Sequence, residues 1–172
     1  MRMIRIMVLA AACFSGLAPA QKVTTQYSRS ANVSQFHTYK WITITGSSAP
    51  SQITAENIVN VINAQLAQKG LVQTTANADL LVGYQTSINQ QQQMNWFNDG
   101  GPWVGGFGQA TTSTIDVGTL VVDMYDPTQK QLIWRGTATK TLNPSSNPDK
   151  NYKNLERAVS KLLKDFPPKI KN

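Results

Sequence analysis

The chain has 172 residues, a formal net charge of +7, and a composition that is 41% hydrophobic and 15% charged. This length fits a single domain with a modest core. Its one cysteine excludes an internal disulfide, so hydrophobic packing has to stabilise the fold. The positive charge is uneven: ten basic and three acidic residues follow from Lys130 onward, against four and six between Gln21 and Gln129.

The first 20 residues have the pattern of a secretory signal peptide. Met1 to Arg5 is short and basic, the stretch to Leu17 is apolar, and Ala18-Pro19-Ala20 provides the small residues of a cleavage site. The apolar run is well below the roughly 20 residues that a membrane-spanning helix needs. We therefore expect export, cleavage after Ala20, and no transmembrane helix in the mature chain.

Cys13 supports an alternative interpretation. The sequence VLAAAC, which ends at Cys13, is similar to a bacterial lipoprotein box, in which the lipidated cysteine follows Leu-Ala-Ala or Leu-Ala-Gly. Ala10 holds the place that leucine usually takes in such a box. The preferred prediction is a periplasmic protein that has lost Cys13 with its signal peptide, and the alternative is an outer-membrane lipoprotein anchored at Cys13.

The first half of the mature chain alternates strand and helix patterns. β-Branched and aromatic residues predict strands over 22–29 and 38–44. Apolar residues at helical spacing predict a helix from about Ile53 to Lys69, which ends at a left-handed Gly70. A further apolar strand, ADLLVGYQTSI, is expected over 78–88.

The second half adds two strands and a helix. Residues 111–126 predict a long strand with a bulge at Gly118, and the turn DPTQ leads to an antiparallel partner over 130–142. Asn151 to Phe166 is a strongly amphipathic helix. The order β-β-α-β-β-β-α predicts one α+β domain over 21–172, with a mostly antiparallel sheet of about five strands and both helices on one face.

The segment 89–110, NQQQQMNWFNDGGPWVGGFGQA, sets large aromatic residues among glutamine and glycine. It predicts a long loop between two strands of the sheet, with Trp96, Phe97, Trp103 and Phe107 as candidate partner-binding residues. Three interpretations remain open: an aromatic cap or mobile connection, a protein or glycan contact, and insertion into a membrane interface.

The amphipathic C-terminal helix has a basic face. Lys153, Arg157, Lys161 and Lys164 fall within about 80° of its circumference, opposite the apolar stripe. This face is either a solvated surface or a contact for anionic lipid head groups or polyanionic envelope polymer. Nucleic acid is not expected, because the chain has no recognition motif.

The sequence predicts no catalytic, metal or cofactor site. His37 is the only histidine, and too few nitrogen and sulfur ligands remain for a metal centre. Asp116 and Asp123 fall on opposite faces of a regular strand unless a bulge intervenes, while Asp126 fits the first position of a turn. Asp79 stands at a strand entry, where a local hydrogen bond to the backbone is usual.

Several motifs of the chain form a recognisable set. They are the aromatic residues Phe36, Tyr39 and Trp41, the helix end Lys69-Gly70, the strand ADLLVGY over 78–84, the hairpin segments GTLVVD over 118–123 and LIWRGTA over 132–138, and the closing LLKDFPP over 162–168. Together they resemble domain-of-unknown-function family 4136, a group of bacterial envelope proteins that includes many lipoproteins of Gram-negative bacteria. The resemblance implies an envelope location and supplies no reaction.

The sequence therefore predicts a non-catalytic, exported protein of the cell envelope that acts as a binding or structural accessory. An unknown envelope protein, a glycan or an anionic lipid surface are the expected partners. A small periplasmic hydrolase is the distant alternative, and it would need His37 to meet at least two carboxylates.

Overall fold

The computed structural model describes residues 21–44, 49–97 and 109–168. The elements in these ranges are β1 Lys22–Tyr27, a 3-10 turn Val33–Gln35, β2 Thr38–Trp41, α1 Gln52–Gln68, β3 Val72–Gln73, β4 Leu80–Phe97, β5 Gln109–Asp126, β6 Gln131–Thr141 and α2 Pro148–Leu162. They confirm the α+β class.

The strands form one mixed sheet of six in the order β1-β6-β5-β4-β2-β3. β1, β6, β5 and β4 pair antiparallel, whereas β2 is parallel to both β3 and β4. The predicted five-strand order was therefore incomplete. β3 has only two residues, both exposed, and shows no periodicity that a sequence could reveal. Because α1 carries the chain back across the sheet after β2, the next strands run parallel to it.

Both helices lie on one face of the sheet. Residues that share this face by register include Tyr39, Leu80, Met124 and Trp134. The α1 side chain Asn63 is hydrogen-bonded to Tyr39 from above this face. The phenyl ring of Phe166, just beyond α2, packs edge-on against Trp134 with ring centroids 5.4 Å apart. The buried helix residues Ile58, Val61, Ile62, Leu66, Val159 and Leu162 complete the core.

Side-chain caps set the starts of the two helices. Ser51 Oγ accepts a hydrogen bond from the Thr54 N–H at the start of α1. Asn147 Oδ1 accepts from the N–H groups of Asp149 and Lys150, and Pro148 occupies the first turn of α2. This cap starts α2 three residues before the predicted Asn151, because proline in the first turn has no helical N–H to lose.

The irregularity in the β5–β6 pairing lies near the turn, and the bulge expected at Gly118 was wrong. Pairing is regular through Gly118 and shifts between Met124 and Tyr125, where Leu132 rather than Ile133 faces Tyr125. Ile133 and Trp134 are consequently both buried although they are adjacent in sequence. A bulge permits this because it breaks the strict alternation of side chains across a strand.

The β4–β5 hairpin extends past the rest of the sheet. β6 stops pairing with β5 at Val117↔Thr141, but β4 and β5 continue for eight further pairs, from Gln90↔Asp116 to Phe97↔Gln109. At about 3.4 Å per residue, this two-stranded ribbon is about 25 Å long. The expectation of a loop over 89–110 is thus wrong for 89–97 and for 109–110, while residues 98–108 lie outside the described residues. The half of the hairpin that lies within the sheet is buried, and it fixes the pairing register of β4 and β5. The polar half beyond the sheet keeps the same register.

Candidate functional site

The β4–β5 ribbon (residues 90–97 and 109–116) carries part of the predicted aromatic set. Trp96 and Phe97 are the last residues of β4, where their backbones pair with Ala110 and Gln109. Trp103 and Phe107 fall in the segment that joins the two strands and lie outside the described residues. The side chains of Trp96 and Phe97 are not described either, and Cys13 lies entirely outside the described residues. The aromatic-rich segment of the sequence is therefore connected to the far end of the ribbon.

The predicted basic face of α2 is an exposed surface. Lys153, Arg157 and Lys161 belong to the helix, Lys164 follows its last residue, and all four side chains are exposed. In the described ranges, the ion pair between Arg135 and Asp123 is the only one, so none of these four cations has a carboxylate partner there. The face is positively charged and accessible.

An open groove of about 410 Å³ runs between α1 and α2. Its α1 wall is neutral and rich in amides, since it includes Gln65 and Gln68. Its α2 wall carries the ring of Tyr152 and the cations Arg157 and Lys161, so the groove shares two residues with the basic face. The groove was not visible in the sequence because it depends on how two distant helices pack.

The groove also contains one acidic side chain. Glu156 and the hydroxyl of Ser160 line it from α2, and Val61 and Ala64 contribute from α1. Between the described residues, no hydrogen bond is made by the side chains of Gln65, Gln68, Tyr152 or Ser160. These groups are therefore available to a ligand that enters between the helices.

An ion pair with a buried carboxylate lies on the opposite face of the sheet from the helices. Asp123 on β5 is 0% exposed, and Arg135 on β6 is its direct neighbour in the register. Arg135 Nε donates to one carboxylate oxygen at 2.6 Å and Nη2 donates to the other at 2.7 Å. The two family-like hairpin segments meet through this pair, which neither segment alone could reveal.

Tyr125 completes the surroundings of this ion pair. Its hydroxyl donates to Asp123 Oδ2 at 3.5 Å, and burial, together with the nearby carboxylate, raises the pKa of the Tyr125 hydroxyl. The hydrogen bonds to Asp123 raise the pKa of the Arg135 guanidinium above its usual value. Paired hydrogen bonds of this fork geometry hold two strands in register, so the arrangement is structural.

Asp79 joins β4 to β2. Its Oδ2 accepts hydrogen bonds from the backbone N–H of His37 at 2.8 Å and of Thr38 at 2.9 Å, while its own N–H donates to Thr38 Oγ1. The two backbone hydrogen bonds hold the pKa of the Asp79 carboxyl below its usual value. The predicted backbone bond exists, but it reaches a distant strand instead of the local chain.

Asp126 and Asp116, both on β5, lie in different environments. Asp126 is buried and its Oδ1 accepts from the N–H groups of Thr128 and Gln129, which confirms it as the first residue of the turn. Asp116 is exposed at the base of the ribbon. Within 21–44, 49–97 and 109–168, no three His, Cys, Asp or Glu residues are close enough together to hold a metal ion.

Asn63 links α1 to the aromatic residues of β2. Its Oδ1 accepts hydrogen bonds from Tyr39 Oη at 2.8 Å and from Trp41 Nε1 at 2.9 Å. Tyr84 packs edge-on against Trp41, with ring centroids 6.1 Å apart. The half-buried polar ends of these aromatic rings are thereby satisfied by one amide oxygen.

Residues 23–168 match the family described as Domain of unknown function (DUF4136), and the chain belongs to this family. The match covers nearly the whole described structure, including both hairpin segments that meet in the ion pair. No curated protein matches the chain significantly. No helix among the described residues is both long enough and apolar enough to span a membrane.

Two solved bacterial structures show a similar fold. A PDZ domain protein from Parabacteroides distasonis matches 87% of this chain and 36% of its own length, with a TM-score of 0.55 and 12% identity. The PelC dodecamer from Paraburkholderia phytofirmans matches 84% of this chain and 95% of the PelC chain in one crystal form, with a TM-score of 0.52 and 12% identity. A second crystal form of PelC gives a TM-score of 0.51. At such low identity the likeness shows the fold alone.

Proposed function

We propose that this protein is an exported, non-catalytic accessory of the cell envelope that binds a partner through the end of the β4–β5 ribbon. The observation that carries the proposal is the ribbon itself, which leaves the sheet with an aromatic-rich segment at its far end. A two-stranded ribbon outside a sheet buries little surface and is marginally stable in water. Contact with a partner at the far end of the ribbon would bury more of its surface and so stabilise it.

The aromatic residues suit this role. Trp96 and Phe97 end β4, and Trp103 and Phe107 follow in the connecting segment. Tryptophan and phenylalanine contribute large contact areas with few rotatable bonds, so they often dominate the free energy of binding at interfaces.

Photo-crosslinking in living cells tests this contact. A photoreactive amino acid at position 96 or 103 should give a discrete product of higher mass in the envelope fraction after illumination. The matched control replaces Ile53, which is 73% exposed and belongs to α1, outside the ribbon. Products that are absent at the ribbon, or that are the same at position 53, would contradict the proposal.

The proposed location has a separate test. Intact mass measurement of the purified protein should show a chain that begins at Gln21. In the folded protein, Gln21 Nε2 donates to the Ala158 carbonyl on α2, so the mature chain would begin at a fixed position beside this helix. A lipid-modified chain that begins at Cys13 would instead support the lipoprotein alternative, with the same accessory role.

The basic face of α2 supports a second candidate contact. Its four exposed cations have no carboxylate partner in the part of the chain that the structure describes, and they would attract an anionic lipid surface or an anionic envelope polymer. Such binding should weaken as salt is raised, because the Debye length falls from about 10 Å at 0.1 M to about 3 Å at 1 M. Binding that is insensitive to salt would exclude an electrostatic role for this face.

A further inference from the structure

We propose that the groove between α1 and α2 binds an acidic polysaccharide, a chain of sugars that carry carboxylates. The inference rests on the proposed function in taking the protein as a binding protein of the envelope, and it makes the second candidate contact, the basic face of α2, specific in site and ligand. It assigns a ligand class to a surface distinct from the ribbon, and it follows from the chemistry of the two walls.

The two walls offer different groups to the same ligand. Gln65 and Gln68 lie about one helical turn apart on α1, and their amides can donate to and accept from sugar hydroxyls. Across the groove, Arg157 and Lys161 are also one turn apart and offer charged donors for carboxylates. Tyr152 adds an aromatic ring beside them. Hydroxyls and carboxylates on one chain would satisfy both walls.

The positive charge continues along α2 outside the groove. Lys153 and Lys161 are separated by about 12 Å along the helix at about 1.5 Å per residue, and Lys164 lies beyond Lys161. A ligand that used only Arg157 and Lys161 would leave this extension unused. A polymer with a charge on successive sugars fits a row of cations better than a small anion does.

The surroundings of the groove favour a hydrophilic polymer over a lipid bilayer. A helix that lies in a membrane interface presents large apolar side chains beside its cations. The exposed large hydrophobic residues in the described ranges are Tyr27, Ile53, Val72, Ile88, Leu132 and Leu142, and none of them belongs to α2 or lines the groove. Cations without an adjoining apolar surface suit a ligand that stays in water.

The negative charge of Glu156 allows a test of the direction in which a substitution changes the affinity. Its carboxylate lines the groove beside the two cations and would repel an acidic ligand. Removal of this charge should therefore strengthen binding, whereas removal of the cations should weaken it. A groove that has no role in binding would show neither effect.

The experiment is a calorimetric titration at low ionic strength. The protein is purified in the mature form that the cell produces. The probe is an alginate oligosaccharide, with a neutral dextran oligosaccharide of equal length for comparison. We expect R157Q/K161Q to lose about tenfold in affinity, because both cations are exposed and each exposed charge contributes about two- to fivefold. E156Q should gain about two- to fivefold, as expected for an exposed charge. Q65A/Q68A should lose about fivefold through neutral hydrogen bonds.

Matched variants separate the groove from net charge. R29Q/K130Q removes two exposed cations that belong neither to α2 nor to the lining of the groove, so it has the same net charge as R157Q/K161Q, and its affinity should change less than about twofold. All substituted side chains except the half-buried Gln65 are exposed, and circular dichroism should confirm that each variant folds.

Three results would overturn the proposal. The first is an equal loss of alginate affinity in R157Q/K161Q and R29Q/K130Q. The second is equal binding of dextran and alginate by the wild type. The third is a preference for phosphatidylglycerol vesicles over alginate, with the same dependence on Arg157 and Lys161. Failure here would leave the crosslinks at the ribbon unchanged. Conversely, failure of those crosslinks would leave the alginate titration unchanged, so the two proposals can fail separately.

Discussion

The ion pair between Asp123 and Arg135 should respond unequally to the loss of its two members. Asp123 is 0% exposed, whereas the Arg135 side chain is 39% exposed. If Asp123 is replaced by asparagine, the guanidinium can turn towards water. If Arg135 is replaced by methionine, the carboxylate stays buried with only the distant Tyr125 hydroxyl as a donor. R135M should therefore cost more stability than D123N.

The magnitudes follow from burial. Breaking a fully buried pair costs about 3–5 kcal/mol, and partial exposure of the guanidinium places R135M near the lower end, at about 3 kcal/mol. Methionine keeps most of the aliphatic stem of arginine, so little of this loss comes from packing. D123N should cost about 1–2 kcal/mol, because one hydrogen bond and the charge attraction are lost while the arginine can be solvated.

Urea unfolding followed by tryptophan fluorescence would measure both variants, since Trp134 lies next to the pair in sequence and is buried. A D123N deficit equal to or larger than that of R135M would refute the reasoning.

Three further substitutions test the packing and the polar contacts. G136A should destabilise the fold by about 2–3 kcal/mol through overpacking, because the new Cβ would lie 2.3 Å from Trp134 Cη2. N63L should cost about 2 kcal/mol, because two aromatic donors lose their acceptor. D79N should lower stability at neutral pH. Because the Asp79 pKa is lowered by folding, its ionised form stabilises the fold above the usual pKa of 3.8, and this contribution is lost as the pH falls through the folded pKa.

Each of these has a matched comparison. T137A changes the residue beside Gly136 on the other face of the sheet, and its midpoint of thermal unfolding should stay near that of the wild type. N63D keeps an acceptor oxygen and should be less destabilised than N63L in urea. The stability difference between wild type and D79N should shrink in acid. A difference that stays constant from neutral to acid pH, an unaffected G136A, or N63D as unstable as N63L would contradict the respective explanation.

The sequence predicted those parts of the fold that depend on short-range patterns. The apolar stripe of α2, the glycine stop of α1 and the Asp126 turn all arise from side chains within a few residues of one another, and the structure contains all three. Gly70 has a φ of 84°, as a left-handed helix end requires. Local spacing was sufficient information for these elements.

The remaining features depend on contacts between distant segments. Parallel pairing of β2 with β4 requires knowledge of where α1 returns the chain. Residues 89–97 have polar, glutamine-rich composition, and only the register set by the buried part of β4 makes them a strand. The groove between α1 and α2 likewise exists only after the helices pack. These contacts between distant segments could not be predicted from composition. The sequence did predict the basic face of α2, which forms one wall of the groove.

The position of β1 at the edge of the sheet has a consequence for the order in which the chain can fold. Synthesis proceeds from the amino terminus, yet the first strand pairs only with β6, the last strand of the sheet. The loop closed by Lys22↔Thr139 spans most of the domain, and such closures are slow. We therefore expect the first strand to stay unpaired until nearly the whole chain has been made. This order of folding is compatible with the proposed export, because passage across a membrane requires an unfolded chain.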